Sequence, residues 1–273
     1  MQSEDTNNTK NTNDTIVVKL SGKALGARKE LAALFTAARG HRLVIVHGGG
    51  VEVDSLFKIL NLRVVKKNGL RVSPKGQMPY ISAALGGMCN KGLQGLALKQ
   101  GLKALGMLAG DCGTLKVSPL DPELGMVGKT APGSPEYLNW LLCHGYTPIL
   151  ASLCHDESGE LYNVNADDAA LSVAQTLGAA LYYISDVPGV LDRQGQLIGS
   201  LDESRAAELI ADGTISAGME VKVRSALSAA ALTGRSVYIA SWKDPLLCEN
   251  LFSRRPLGTE FKPGSTAVSA GEV

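Results

Sequence analysis

The segment Val44-Ile45-Val46-His47-Gly48-Gly49-Gly50 constrains this chain more than any other. A β-branched run that stops at three consecutive glycines reads as a buried strand entering a tight turn. The spacing of Val53, Leu56, Phe57 and Leu60 after it predicts a helix with one inner face. Glycines at a strand-to-helix turn let the main chain approach an anion, and the first N–H groups of the helix supply donors and partial positive charge. A plain tight turn is the competing reading, because a glycine-rich turn alone is a weak motif.

Other segments repeat the alternation. Ile16 to Leu20, Ala104 to Ala109, Thr114 to Val117, Pro148 to Ala151, Ala180 to Ser185 and Ser236 to Ala240 read as strands. Glu30 to Ala38, Glu203 to Ala211 and Ala217 to Leu232 read as helices. Ser134-Pro135 opens a further helix that Gly145 ends, and Ser73-Pro74 opens a long helical region with Ser73 as N-cap. Between them, Arg63 to Val72 forms two short strands about Asn68-Gly69, a hairpin signal because both turn residues tolerate positive φ. Leu161 to Asp168 leads from a strand into an Ala-rich helix. The pattern predicts an α/β fold with a mainly parallel sheet covered on both faces. Residues 1–15 are polar and read as a disordered tail, and residues 264–273 as a frayed one.

The 273 residues include 27 basic and 26 acidic side chains, a formal net charge of +1 without a long block of either sign. That balance argues against a nucleic-acid or anionic-membrane partner. Five cysteines, never spaced C-x-x-C, fit reduced thiols, and the pairs Cys143-His144 and Cys154-His155 lack the short-spaced partners of a zinc site. No bilayer-length apolar run or secretion signal is present, so a soluble cytoplasmic protein is expected. Gly125-Met126-Val127-Gly128-Lys129-Thr130 ends like a P-loop, but Glu123 occupies the position of the motif's first glycine, and the segment reads as a loop. Neither G-x-G-x-x-G with a downstream acid nor G-x-S-x-G occurs.

Candidate chemistry rests on a few charged residues. Lys19 lies at a strand end beside the Ser21-Gly22 turn, where an ammonium needs an anion or a path to water; a phosphate site and a snorkelling surface lysine both satisfy it. Lys222 follows Thr214-Ile215-Ser216-Ala217-Gly218-Met219 and is either a ligand contact or a solvated helix lysine. Asp167 could cap a helix or hold lysines in place. Arg71 is either a surface charge or a planar fork for a carboxylate.

Taken in order, Val18-Lys19-Leu20-Ser21-Gly22, His47-Gly48-Gly49-Gly50, Lys67-Asn68-Gly69-Leu70-Arg71-Val72, Asn163-Val164-Asn165-Ala166-Asp167, Ser185-Asp186-Val187-Pro188-Gly189-Val190-Leu191 and Gly218-Met219-Glu220-Val221-Lys222-Val223 resemble the acetylglutamate kinases of the amino acid kinase family, from about Ile16 to Phe261. The resemblance implies a three-layer α-β-α sandwich of two lobes, residues 16–180 binding N-acetyl-L-glutamate and forming a homodimer, and residues 181–263 binding ATP. It implies that Lys19 and Lys222 flank the transferring phosphoryl group, that Asp167 orients both, and that Gly49 and Gly50 donate N–H groups. Arg71 and Asn163 would grip the carboxylate end of the acid under a lid formed by the hairpin. Ser21, Gly22, Asp186, Val187, Pro188, Gly189, Val190, Leu191, Thr214, Ile215 and Ser216 would serve the nucleotide, with Mg²⁺ held mainly by its phosphates and no dedicated metal ligands.

Two departures stand out. The first turn is Lys-Leu-Ser-Gly, the form of the bacterial uridylate kinases, where acetylglutamate kinases usually carry two glycines; Ser21 can still donate its N–H. The polar residues before Ile16 lack the apolar helix of arginine-inhibited hexameric members, so an arginine-insensitive homodimer is expected. A uridylate kinase-like enzyme and a catalytically silent metabolite-binding regulator are the alternatives.

Overall fold

The computed structural model describes residues 15–67 and 69–264. The chain begins with β1 (Ile16–Leu20), the single helical turn α1 (Gly22–Leu25), α2 (Arg28–Ala37), β2 (Leu43–His47) and α3 (Gly50–Ile59). A hairpin β3 (Lys66–Lys67) and β4 (Leu70–Arg71) precedes a long helical stretch, in which α4 (Met78–Ser82) and α5 (Asn90–Lys99) flank a π-helix (Ala83–Cys89). Then come β5 (Lys103–Leu108), β6 (Leu115–Pro119), β7 (Val127–Pro132), α6 (Glu136–Cys143), β8 (Tyr146–Ala151), β9 (Leu153–His155), β10 (Leu161–Val164) and α7 (Ala166–Leu177). The last part contributes β11 (Ala180–Ser185), β12 (Ser200–Leu201), α8 (Glu203–Ala211), α9 (Ala217–Thr233), β13 (Val237–Ser241), α10 (Leu247–Ser253) and β14 (Thr259–Phe261).

Eight strands form one sheet in the order β12-β14-β13-β11-β1-β2-β8-β5, parallel throughout except where β13 meets β14. Alternate residues of a strand face opposite ways. Val17, Val44, Val46, Leu150 and Leu181 therefore pack beneath α6, α7 and α9, while Val18, Ile45, Ile149 and Ile184 pack on α2, α5 and α10. Both faces are covered, which is why the strands read as continuous apolar runs. This is the expected three-layer α-β-α fold. Because β1 lies between β2 and β11, the chain winds away from its first strand in both directions. In open α/β sheets ligands bind beyond the carboxyl ends of the strands at such a reversal.

Several expectations need correction. Residues 125–130 are not a loop: Val127–Pro132 is a strand between β6 and β10 in a second, four-stranded sheet. Gly128 belongs there because a Cβ would come within 2.2 Å of Val117 Cγ2, so the neighbouring strands leave room only for glycine. Ser73 is not a helix cap. Its N–H donates to the Leu124 carbonyl at 2.8 Å and its own carbonyl accepts from Met126, drawing it into a bridge that delays the helices. The short elements β9, β12, α10 and β14 escaped the sequence reading because their apolar runs are too brief for periodicity to register. Thr15, assigned to the expected tail, is buried and accepts from Arg42 Nε at 3.0 Å, so it belongs to the fold. The rest of that tail, residues 265–273 and Asn68 lie outside the described residues. No described helix is long and apolar enough to cross a membrane.

Candidate active site

Alternation along β1 places Lys19 on the face of Val17, the face α7 covers. Its side chain is 15% exposed, and Nζ meets Asp167 Oδ1 at 2.7 Å. The N-cap of α7 is Asn165, whose Oδ1 accepts from the Asp167 N–H at 2.7 Å. Asp167 is thereby released from capping, and its carboxylate turns to the lysine. Two cavities open on either side of this pair.

The smaller, about 240 Å³, is lined by Lys19, Asp167, Gly49, Gly50, Arg71 and Asn163 among others. Gly49 tolerates no side chain: a Cβ would approach Cys89 Sγ to 2.6 Å and Leu85 Cδ2 to 2.8 Å. Its N–H and that of Gly50 have no backbone acceptor among the described residues, as expected of a helix start that receives an anion. Arg71 is nearly buried, with its side chain 8% exposed; Nη2 pairs with Asp54 and donates to the Gly50 carbonyl at 3.2 Å, and the guanidinium lies 5.4 Å from the Phe57 ring centroid. Its Nη1 is buried without a partner. Burial pushes the Asp54 carboxyl up, but hydrogen bonds and charges from Arg71 and Lys66 outweigh it and hold the group below the usual carboxylate range. Asn163 Nδ2 donates to Ser73 Oγ at 3.1 Å, which fixes the amide plane.

The larger cavity, about 400 Å³, shares Lys19 and Asp167 and adds Ser21, Gly22, Asp186 and Lys222. Lys222 projects from α9 with no ion pair among the described residues, so the structure brings Asp167 to Lys19 and not to Lys222. Ser21 also differs from expectation. Its N–H is engaged by the Ile184 carbonyl at 3.0 Å and its hydroxyl accepts from Ala24 N at 3.3 Å, so it caps α1 and offers no free amide. Val187, Pro188, Gly189, Val190, Leu191, Thr214, Ile215 and Ser216 do not line this cavity. Val190 and Ile215 are buried in the core, Gly189 (φ +144°) packs against Thr259, and Thr214 Oγ1 accepts from Arg193. Sequence reasoning missed Lys23, which pairs with Asp186 at 2.7 Å and, with the more distant charge of Lys222, holds that carboxyl low. It also missed Lys66 in the smaller cavity and Tyr183, Ser185, Val221 and Ser225 in the larger. Lys23 and Lys66 adjoin the recognised turns, which was the available signal.

Behind the glycines, His47 is fully buried. Burial lowers its pKa from 6.5 to about 4, outweighing the opposing effect of its hydrogen bond to Gly48. The unfolded chain therefore takes up a proton below pH 6.5 that the native state refuses until near pH 4. This contribution to stability is complete above pH 6.5 and falls away toward pH 4, by about 3 kcal/mol over the window. Denaturant unfolding at both ends should show a shallower acid loss in His47→Asn than in the parent; identical slopes would reject the assignment.

The amino acid kinase family model matches residues 14–241. An acetylglutamate kinase of Vibrio vulnificus (strain CMCP6) is 47% identical over 254 residues, covering 91% of this chain and 97% of the relative. An acetylglutamate kinase of Serratia proteamaculans (strain 568) is 48% identical, covering 90% and 98%. Among solved structures, the protein smu.665 of Streptococcus mutans UA159 superposes with a TM-score of 0.75 at 31% identity, covering 91% of this chain and 98% of that one. With these matches spanning both cavities, the chain belongs to the amino acid kinase family and, within it, groups with the acetylglutamate kinases.

Proposed function

We propose that this protein transfers the γ-phosphoryl group of ATP to the γ-carboxylate of N-acetyl-L-glutamate, giving N-acetyl-L-glutamyl 5-phosphate in the second step of arginine biosynthesis. The observation that carries the reading is the wall of Lys19 and Asp167 shared by two cavities, one with a buried guanidinium and the other with Lys222. The acid occupies the smaller cavity, its α-carboxylate on Arg71 and Asn163 and its γ-carboxylate toward Gly49 and Gly50. ATP occupies the larger, between Gly22, Lys23, Asp186 and Lys222.

In the reaction a carboxylate oxygen attacks the γ-phosphorus, the bond to the β–γ bridging oxygen breaks, and ADP leaves with its electron pair. The acceptor is already ionised at neutral pH, so no general base or covalent intermediate is needed. Positioning and cations at the equatorial oxygens suffice, from Lys19 and Lys222 with the glycine N–H groups. Among the described residues no group of three or more His, Cys, Asp or Glu gathers as a metal cage. Mg²⁺ would be held mainly by the nucleotide phosphates and would neutralise part of their charge, with Asp167 and Asp186 the nearby acids.

Residues 16–180 supply the acid lobe and residues 181–263 the nucleotide lobe, in a cytoplasmic homodimer insensitive to arginine, without nucleic-acid or membrane partners. Sedimentation should give a dimer whose rate of turnover is unchanged by arginine; a hexamer, or inhibition at low arginine, would reject this. The reaction itself is tested by Mg²⁺-dependent ADP release with N-acetyl-L-glutamate beside L-glutamate, L-aspartate and UMP, trapping acyl phosphate with hydroxylamine. Turnover and hydroxamate only with the acetylated acid are expected. Turnover with UMP would point to a uridylate kinase-like enzyme, and ATP binding without any turnover to a silent regulator.

A further inference from the structure

His47 ends β2 immediately before the glycines, and both of its ring nitrogens have partners inside the protein. Nδ1 lies 2.7 Å from the Gly48 carbonyl oxygen, and Nε2 lies 3.0 Å from Asn90 Nδ2. Asn90 is 1% exposed and opens α5 directly after the π-helix, whose wide turn brings consecutive residues, Cys89 and Asn90, to the interior. Its Nδ2 also reaches the Ile149 carbonyl at 2.8 Å and the Met107 carbonyl at 3.4 Å, while its Oδ1 is buried without a partner. The amide has only one reasonable orientation. Turned over, it would set an oxygen against two carbonyls, so Asn90 is present as a donor even though its own acceptor goes unmet.

Asn90 Nδ2 has two protons, and its two nearer acceptors are the Ile149 carbonyl at 2.8 Å and His47 Nε2 at 3.0 Å; Nε2 thus accepts, and the ring proton resides on Nδ1, which donates to the Gly48 carbonyl at 2.7 Å. A trans peptide directs its carbonyl and N–H in opposite senses. Drawing the Gly48 carbonyl toward the buried ring therefore turns the Gly49 N–H away from it, into the cavity shared by Lys19 and Arg71. We infer that His47, fixed in its Nδ1–H tautomer by Asn90, is a positioning residue that aims the Gly49 N–H at the transferring phosphoryl group. This rests on the kinase reading above for the identity of the anion, but not for the tautomer. Glycines in this turn have wide conformational freedom. A side chain locked to the Gly48 carbonyl removes that freedom before substrate arrives, which is the preorganisation that electrostatic stabilisation requires.

The test has two arms on the full-length chain. ¹⁵N NMR of the unliganded protein should show His47 with a protonated Nδ1 and a pyridine-like Nε2; a proton on Nε2 overturns the inference whatever the enzyme does. In the second arm, His47→Asn, whose amide nitrogen can take the place of Nδ1, is compared with His47→Gln, whose amide reaches only the Nε2 position, and with His47→Leu. Gln and Leu should lower kcat by roughly 30-fold or more with both KM values within about threefold, and Asn should restore most of the loss. Equal kcat for Asn and Gln, in either direction, overturns the inference, and this comparison stands if the Leu variant fails to fold. Absence of turnover with N-acetyl-L-glutamate in the parent protein would instead defeat the kinase reading, leaving the tautomer to decide the geometry.

Discussion

Lys222→Ala is expected to lower kcat by about 10²–10³-fold while leaving the KM for the acid within about threefold. The ammonium projects from α9 into the nucleotide-sized cavity, away from Arg71 and Asn163, so its removal leaves the grip on the acid intact. Charge on the phosphoryl oxygens changes most at the transition state, and a cation offered there without an existing ion pair needs no partner to be displaced. Lys19 differs in that Asp167 already holds it at 2.7 Å. Lys19→Ala should therefore also leave Asp167 unpaired beside the phosphates, adding a rise in the KM for ATP to a comparable loss in kcat. Steady-state kinetics with both substrates varied would separate the two lysines. A Lys222 variant that raised the KM for the acid as much as it lowered kcat would sink this division of roles.

Arg71→Ala should show the reverse pattern, raising the KM for N-acetyl-L-glutamate by about 100-fold with a much smaller fall in kcat. The guanidinium is anchored on one side by Asp54 and the Gly50 carbonyl, and lies against Phe57, while Nη1 is buried and unpaired. A buried charge-bearing donor without an acceptor is costly, and a substrate carboxylate would relieve it. Arg71→Lys should recover little, because an ammonium cannot keep both the Asp54 pair and a fork toward the ligand. Equal losses of kcat and KM in Arg71→Ala, or full activity in Arg71→Lys, would reject the assignment.

The positions of the glycine turn, Lys19, Asp167 and Arg71 were legible as strand ends and helix starts, whereas Asn163 and the roles proposed for all of them came from the resemblance. The three-layer sheet followed from the spacing of apolar runs. What escaped depends on contacts distant in sequence. That Asn165 and not Asp167 caps α7, that Ile184 engages the Ser21 N–H, and that Lys23 pairs with Asp186 are facts of the assembled sheet. Residues 125–130 read as a loop because Leu120-Asp121-Pro122 before them and Ala131-Pro132-Gly133 after them supply neither the strand nor the helix of a P-loop. Residues 127–132 form a strand by pairing with β6 on one side and β10 on the other.

The pairing of β1 has a consequence for a chain emerging from the ribosome. Its partner β2 is made within 27 residues, but β11 arrives only at residues 180–185. Through that interval one edge of Ile16-Val17-Val18-Lys19-Leu20 has no strand to pair with, and apolar edges of this kind invite pairing with other chains. Lys19 is its one charged residue, and a lysine on an open strand edge disfavours such pairing. The lysine that lies between the two cavities of the finished protein is thus also the one charge its first strand carries against self-association while unpaired.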